Sequence, residues 1–175
     1  MPNFGKCQGL KTIRKQITLY VPKPESVRLE AIRQRFNPVQ FELISAHVTL
    51  CRDEDDPDWP AVQARAEEIK RLEIKLRFGA AVREDNLVYL PVIGKTDEFD
   101  SLRTHLLDNV NCRKQVPHIT LIHPRNARCS AEDYDEISSL IDEPLDITFR
   151  QLTFIEQRDG FAWQDLKTFP EHVSN

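Results

Sequence analysis

The stretches HVTL at residues 47–50 and HITL at residues 118–121 decide how this chain folds. Each contains a histidine, a β-branched residue, a threonine and a leucine, a composition that favours a β-strand. Residues i and i+2 of a strand lie on the same face. Each histidine is therefore expected to share a face with the threonine that follows it, while the β-branched residue and the leucine point into an apolar layer.

The two stretches occupy corresponding places in two similar halves of the chain. In each half the hydrophobic pattern predicts a strand, a helix, the histidine strand and a second helix, as a duplicated unit would. Coincidence is the alternative to duplication. We predict strands at residues 17–21, 44–51, 72–82, 87–93, 116–122, 145–156 and 161–166, and helices at 23–36, 58–71, 97–110 and from 130 onward.

The composition indicates a single domain that does not bind long stretches of nucleic acid. The chain has 175 residues and a formal charge of −4, which is the wrong sign for binding an extended phosphate backbone. A small anionic substrate or an RNA end fits better. We expect a single domain over residues 1–175, with lobe-forming repeats at about 16–82 and 86–157 and an N-terminal extension at 1–14.

The location is expected to be cytoplasmic. No apolar run approaches the roughly 20 residues that cross a bilayer, and the N-terminus lacks an apolar signal core, so we expect no membrane association. The cysteines are widely spaced and suggest reduced thiols rather than a disulfide framework or a zinc site. They are Cys7, Cys51, Cys112 and Cys129.

Two histidines facing one cleft can perform acid–base chemistry on a phosphate. Unperturbed imidazoles titrate near pH 6.5, so one can be neutral and accept a proton while the other is charged and donates one. Opening a cyclic phosphate requires both steps, one at the attacking water and one at the departing ribose oxygen. If the halves pack about a pseudo-two-fold axis, His47 and His118 converge with Thr49 and Thr120, whose hydroxyls can donate to the phosphate oxygens.

The paired H-x-T-L tetrapeptides in a duplicated, strand-rich chain resemble the two-histidine (2H) phosphoesterase superfamily, which includes bacterial 2′-5′ RNA ligase-like proteins and cyclic phosphodiesterases. The resemblance covers about residues 17–169, including an L-x-F…G-x-x-W pattern at residues 152–163. It implies a bilobal α+β fold, with duplicated strand–helix units forming two antiparallel sheets around a central cleft and with helices outside.

The resemblance also implies a site without metal or cofactor. By position, His47 and His118 match the catalytic histidines, and Thr49 and Thr120 match the phosphate-binding hydroxyls. The implied reaction is hydrolysis of a 2′,3′-cyclic, or related cyclic, phosphate on a nucleotide or RNA end by a monomer. RNA 2′-5′ ligation by the same residues, and nucleotide or RNA-end binding without turnover, remain open.

Other residues near the histidine strands have less defined roles. Arg52 and Arg125 follow the two strands and are candidates for binding the phosphate. His123 has the opposite strand parity to His118, so we expect it to face away from the cleft. Cys51 has the parity of His47, but we expect a small buried thiol. Four aromatic residues can stack on a base or fill the core: Tyr20, Trp59, Tyr89 and Trp163.

Overall fold

The computed structural model describes residues 12–170, which form nine strands and five α-helices. The strands are β1 (Ile13–Tyr20), β2 (His47–Arg52), β3 (Ile74–Phe78), β4 (Val82–Glu84), β5 (Leu87–Ile93), β6 (His118–Ile122), β7 (Leu145–Phe149), β8 (Leu152–Arg158) and β9 (Gln164–Phe169). The helices are α1 (Glu25–Phe36), α2 (Pro38–Leu43), α3 (Trp59–Glu68), α4 (Asp97–Leu107) and α5 (Ala131–Leu140). None of the helices in this range is long and apolar enough to cross a membrane.

The strands form two antiparallel sheets, which confirms the predicted α+β class. The first sheet has the order β2-β1-β8-β9, and the second has the order β4-β5-β3-β7 with β6 paired to β5. Each histidine strand, β2 or β6, therefore pairs with only one neighbour, β1 or β5. The two histidine strands approach each other to Cα–Cα distances within 8 Å, although they belong to different sheets.

The two sheets do not coincide with the two halves of the chain. Strands β8 and β9 come from the end of the sequence, yet they extend the first sheet through β1. Strand β3 comes from the first half, yet it pairs with β5 and β7 in the second sheet. The repeats at 16–82 and 86–157 thus describe the order of elements along the chain, and their origin by duplication stays a prediction.

Several boundaries differ from the sequence prediction. The stretch 145–156 is two strands in different sheets, interrupted at residues 150–151, and the stretch 72–82 is likewise divided into β3 and β4. Ile13 and Arg14, assigned above to the extension, are the first residues of β1. Residues 1–11 of that extension, including Cys7, lie outside the described residues.

The helix starts agree with their capping signals. The Asp58 side chain accepts a hydrogen bond from the Ala61 N–H at the start of α3, which has a proline in its first turn. At the start of α5, Ser130 and Asp133 form a reciprocal capping box. These caps satisfy backbone N–H groups that have no partner within the helix.

The apolar residues of the histidine strands point into the core, as the alternating pattern predicts. Val48 and Leu50 of β2, and Ile119 and Leu121 of β6, are completely buried. They pack in one hydrophobic cluster with residues of the helices behind the sheets. This packing fixes the orientation of each histidine strand, because a shift of one residue would bring the histidine into the core.

Two buried arginines occupy equivalent places in helices α1 and α4. The sequences LEAIRQRF at residues 29–36 and FDSLRTHL at 99–106 align so that Arg33 and Arg103 coincide, each one residue after an inward-facing aliphatic residue. Their exposure is only 1% and 2%. Buried guanidinium groups need hydrogen-bond partners, so their contacts indicate what these two helices hold in place.

Arg33 holds the segment that leads into β2. Its guanidinium donates to the carbonyl oxygens of Gln40 and Ile44, at 3.3 and 2.7 Å, and forms an ion pair of 2.6 Å with Glu30. Glu30 in turn accepts a hydrogen bond from the backbone N–H of Ala46, next to the first histidine. Helix α1 thereby fixes the start of the first histidine strand.

Arg103 plays the corresponding part for both histidine strands. It donates to the carbonyl oxygen of Leu50 in β2 and, at 2.7 Å, to that of Arg113 in the segment before β6. Its charge is balanced by Asp55, 3.2 Å away, whose side chain is fully buried and also pairs with Arg113 at 3.1 Å. Burial alone would raise the pKa of Asp55, but the hydrogen bonds from Arg103 and the Arg52 backbone lower it.

Removing the Arg103 guanidinium should destabilise the protein strongly. We expect Arg103→Met to lower the free energy of unfolding by about 3–5 kcal/mol, because Asp55 would lose its main buried partner. Urea denaturation measures this loss. The matched control is Arg77→Met, which breaks the exposed Arg77–Asp146 pair (3.1 Å) and should cost less than about 1 kcal/mol. Equal losses in the two variants would contradict the inferred role.

Candidate active site

All six candidate site residues line one cleft of about 260 Å³. The candidates are His47, Thr49, Arg52, His118, Thr120 and Arg125. The first three come from β2 in the first sheet, and the others come from β6 and the loop after it. The approach of the two histidine strands therefore produces the site, and the role of each residue stays a prediction.

Both histidine rings are held in the same way by the backbone. Nδ1 of His47 lies 2.7 Å from the carbonyl oxygen of Ser45, and Nδ1 of His118 lies 3.0 Å from that of Val116. A carbonyl oxygen can only accept a hydrogen bond, so Nδ1 of each ring carries a proton. In the neutral ring, Nε2 is then the atom with a free lone pair, and it is the atom left for chemistry in the cleft.

A tyrosine packs against each histidine ring. Tyr20 lies edge-on to His47 with ring centroids 6.5 Å apart, and Tyr89 lies edge-on to His118 at 5.6 Å. Each phenol O–H donates to a carboxylate at 2.7 Å, that of Asp165 or Glu84. The two imidazoles are therefore restrained both by a backbone hydrogen bond and by an aromatic neighbour.

His47 is kept neutral at physiological pH. Burial lowers its pKa to about 4, and the positive charges of Arg33 and His118 act in the same direction. The unfolded chain protonates this histidine near pH 6.5. Its neutral ring therefore favours the folded state above that pH, and the contribution is lost as the pH falls towards 4.

A glutamine supports the first threonine. The Gln16 side-chain amide donates to Oγ1 of Thr49 at 3.1 Å, so the hydroxyl proton of Thr49 remains available to another acceptor. Gln16 lies on β1, opposite Arg52 of β2. Sequence reasoning missed Gln16, and the available signal was a polar residue within an otherwise apolar strand.

None of the described residues that line the cleft is acidic, although the chain as a whole is acidic. Arginine, histidine, threonine and amide side chains supply its polar surface. Besides Gln16, the lining residues not anticipated from the sequence are Arg14, Gln40, Gln115, Asn126 and Gln157. Such a surface favours a negatively charged ligand.

Two expectations about strand parity were wrong. His123 lines the cleft instead of facing away, because β6 ends at Ile122 and the alternation of faces stops there. Cys51 does not share the face of His47, because a register shift at Ile17 places it opposite Ile17 and brings Arg52 to the cleft. The expectation of a buried Cys51 thiol is confirmed, and burial raises its pKa to about 12.

The four aromatic candidates have different environments. Tyr20 and Tyr89 contact the histidines, as described above. Trp59 packs edge-on against Phe154, with ring centroids 5.2 Å apart, and supports the core. Trp163 lines the cleft, and the guanidinium of Arg14 lies 5.5 Å from its ring centroid. Of the two tryptophans, only Trp163 lines the cleft.

A second, larger cleft of about 670 Å³ is lined in part by Tyr20 and Asp165, but neither His47 nor His118 lines it. Size alone does not identify a reactive site, whereas converging titratable groups do. We therefore place the site in the smaller cleft. Within residues 12–170, no group of three or more His, Cys, Asp or Glu side chains is arranged to hold a metal ion.

Solved structures share this fold, although no protein-family model and no curated protein matches the sequence. E. coli LigT in complex with ATP has a TM-score of 0.57 and 15% identity, over 89% of this chain and 95% of LigT. A protein described as a phosphoesterase has a TM-score of 0.54 and 15% identity, over 90% and 98%. TT0787 of Thermus thermophilus has a TM-score of 0.50 and 14% identity, over 89% and 96%. The fold implied by the 2H resemblance is thus confirmed.

The histidine geometry predicts a specific protonation pattern. Long-range ¹H–¹⁵N spectra should show both His47 and His118 with the proton on Nδ1 in their neutral forms. The His47 signals should titrate with a midpoint near pH 4, because burial disfavours the charged ring. An Nε2–H tautomer, or a His47 midpoint at its ordinary value, would contradict the described site.

Proposed function

We propose that this protein is a metal-independent phosphodiesterase of the 2H type that opens a 2′,3′-cyclic phosphate on a nucleotide or an RNA end. The observation that carries the proposal is the matched orientation of His47 and His118, each held through Nδ1 in one acid-free cleft. This leaves two Nε2 atoms for one reacting group. General acid–base catalysis of phosphate hydrolysis needs such a pair.

We assign His47 as the base. Its neutral Nε2 can accept the proton of a water molecule while the water oxygen forms a bond to phosphorus. The bond between phosphorus and one ribose oxygen then breaks, and protonated His118 donates its Nε2 proton to that departing oxygen. The product is a phosphate monoester beside a free hydroxyl, and proton exchange with solvent restores both rings.

Substrate binding would improve the basicity of His47. A nearby phosphate anion favours the charged form of an imidazole and would therefore raise the lowered pKa of His47. The base becomes stronger when the substrate is in place. The threonine hydroxyls supply hydrogen bonds to the non-bridging oxygens, where charge must be stabilised during the reaction.

The structural relatives support a nucleotide substrate. E. coli LigT has been crystallised with NADP+, with ATP, with 3′-AMP and with phosphate. A shared fold with such a protein is consistent with a phosphate between the two histidine strands here. The same residues can also join RNA ends, because an RNA hydroxyl can replace water as the attacking group.

Loss of either histidine should abolish turnover. We expect His47→Ala and His118→Ala each to reduce kcat for nucleoside 2′,3′-cyclic phosphates by about 10²–10⁴-fold, since each removes one proton transfer. Product formation is followed by chromatography, with and without EDTA. The control His105→Ala alters an exposed histidine of α4 and should retain full activity.

Four outcomes oppose the proposal. Full activity in either histidine variant would exclude paired acid–base catalysis. Loss of wild-type activity in EDTA would exclude the metal-independent reaction. Binding of cyclic nucleotides without product would favour a binding module, and joined product from cleaved RNA halves without hydrolysis would favour a ligase.

The threonine hydroxyls should contribute mainly to the rate of the chemical step. We expect Thr49→Val and Thr120→Val each to lower kcat by roughly 10–100-fold, somewhat less than the loss of a strong oxyanion donor. Valine keeps the shape of threonine, so the fold should be retained. Thr104→Val on α4 is the matched control. An unchanged kcat in both cleft variants would show that the hydroxyls do not contact the reacting phosphate.

A further inference from the structure

One end of the cleft gathers positive charge from both sheets. Arg14 extends from β1, whereas His123 and Arg125 lie in the loop after β6, and all three line the cleft that contains His47 and His118. Two of these residues, Arg14 and His123, were not expected from the sequence to be there. The proposed hydrolysis of one phosphate does not require them.

Neither arginine is neutralised by a carboxylate. Among residues 12–170, no acidic side chain forms an ion pair with Arg14 or Arg125. The Arg14 guanidinium instead meets neutral groups, the Gln157 side-chain oxygen at 3.5 Å and the Trp163 ring. Arginines outside the cleft commonly have acidic partners, as shown by Arg28, Arg35, Arg65, Arg77, Arg150 and Arg158.

The two arginines are close enough to act on the same neighbour. Burial, and then the charges of Arg125 and Arg14, lower the pKa of His123. Nδ1 of His123 accepts a hydrogen bond from the Arg125 backbone N–H at 3.1 Å, so His123 can present an N–H at its Nε2 atom. Two guanidinium groups and one imidazole N–H therefore face the same part of the cleft.

Bringing like charges together without a counter-ion costs free energy, which a bound anion would recover. Forked guanidinium donors match the geometry of phosphate oxygens. Because the reacting phosphate belongs between the histidines in our proposal, the two arginines remain as donors for a different anionic group of the same ligand. In a nucleotide or an RNA end, the next phosphate along the chain is attached to the 5′ oxygen.

We propose that Arg14, His123 and Arg125 form a second phosphate subsite, which selects nucleotides and RNA ends carrying a phosphate on the 5′ oxygen of the nucleoside that bears the cyclic phosphate. The subsite rests on the proposed function for the placement of the cyclic group. The subsite narrows the proposed substrate class from all nucleoside cyclic phosphates to those that also carry a 5′ phosphate. The 5′ phosphate can be a monoester in a nucleotide or a diester in an RNA chain.

Binding of stable product analogues tests the subsite independently of turnover. Calorimetry compares adenosine 3′-phosphate with adenosine 3′,5′-bisphosphate, and the wild-type protein should bind the bisphosphate at least about tenfold more tightly. In Arg14→Gln and Arg125→Gln this ratio should fall towards one. The control Arg128→Gln removes the same charge from a residue outside the cleft and should keep the wild-type ratio.

The ratio of the two affinities decides the outcome, because a general loss of binding in a variant would lower both affinities and leave their ratio unchanged. A wild-type ratio near one, or a ratio unchanged in both cleft variants, would overturn the subsite. If Arg14→Gln does not fold, Arg125→Gln still tests the proposal, since Arg125 lies on an exposed loop.

Kinetic measurements then distinguish the proposed hydrolysis from the proposed subsite. They also distinguish a 5′ monoester in a nucleotide from a 5′ diester in an RNA chain. Adenosine 2′,3′-cyclic phosphate, its 5′-phosphorylated form and a dinucleotide with a cyclic end are compared by kcat/KM. We expect both phosphorylated substrates to be preferred by about tenfold or more. No turnover with the affinity ratio intact would overturn the proposed function alone. Turnover without any preference for a 5′ phosphate would overturn the subsite alone.

Discussion

The buried ion pair between Arg103 and Asp55 is the interaction on which the site depends. The two histidine strands are outer strands of different sheets, so no ladder of backbone hydrogen bonds sets their relative position. Arg103 reaches the carbonyl oxygens of Leu50 and Arg113, one on each side of the junction. Asp55 compensates the charge of that guanidinium with a fully buried carboxylate. The Arg103 guanidinium therefore contributes both to the geometry of the cleft and to the stability of the protein.

The electrostatics of the cleft oppose those of the whole chain. Twenty-eight acidic residues outnumber 24 basic ones, yet no acidic side chain lines the cleft. Of the carboxylates near the site, Asp55 pairs with two arginines, Asp165 accepts a hydrogen bond from Tyr20, and Glu54 pairs with Arg52, which lines the cleft. An overall negative charge limits non-specific attraction to nucleic acid, while the local positive field favours a small anionic ligand.

The sequence predicted what depends on local periodicity and missed what depends on pairing. The shared face of His47 and Thr49 follows from strand alternation, and the burial of Val48 follows from it too. The positions of Cys51 and His123 did not follow, because a register shift and a strand end interrupt that alternation. Strands β8 and β9 join the first sheet through long-range pairing that no local pattern specifies. The arginines in the sequences at 29–36 and 99–106 were detectable, since they repeat as the histidines do.

Similar halves create a chemical difficulty, because acid–base catalysis requires one histidine to be neutral while the other is charged. Two rings in identical environments would compete for the same proton. The environments here are not identical. Arg33 pairs with the partly exposed Glu30, and its positive charge still contributes to the low pKa of His47, whereas its counterpart Arg103 pairs with the fully buried Asp55. The two histidine strands thus bring both rings to one cleft, and in the proposed reaction the unequal charges behind them would allow the two rings to take different roles.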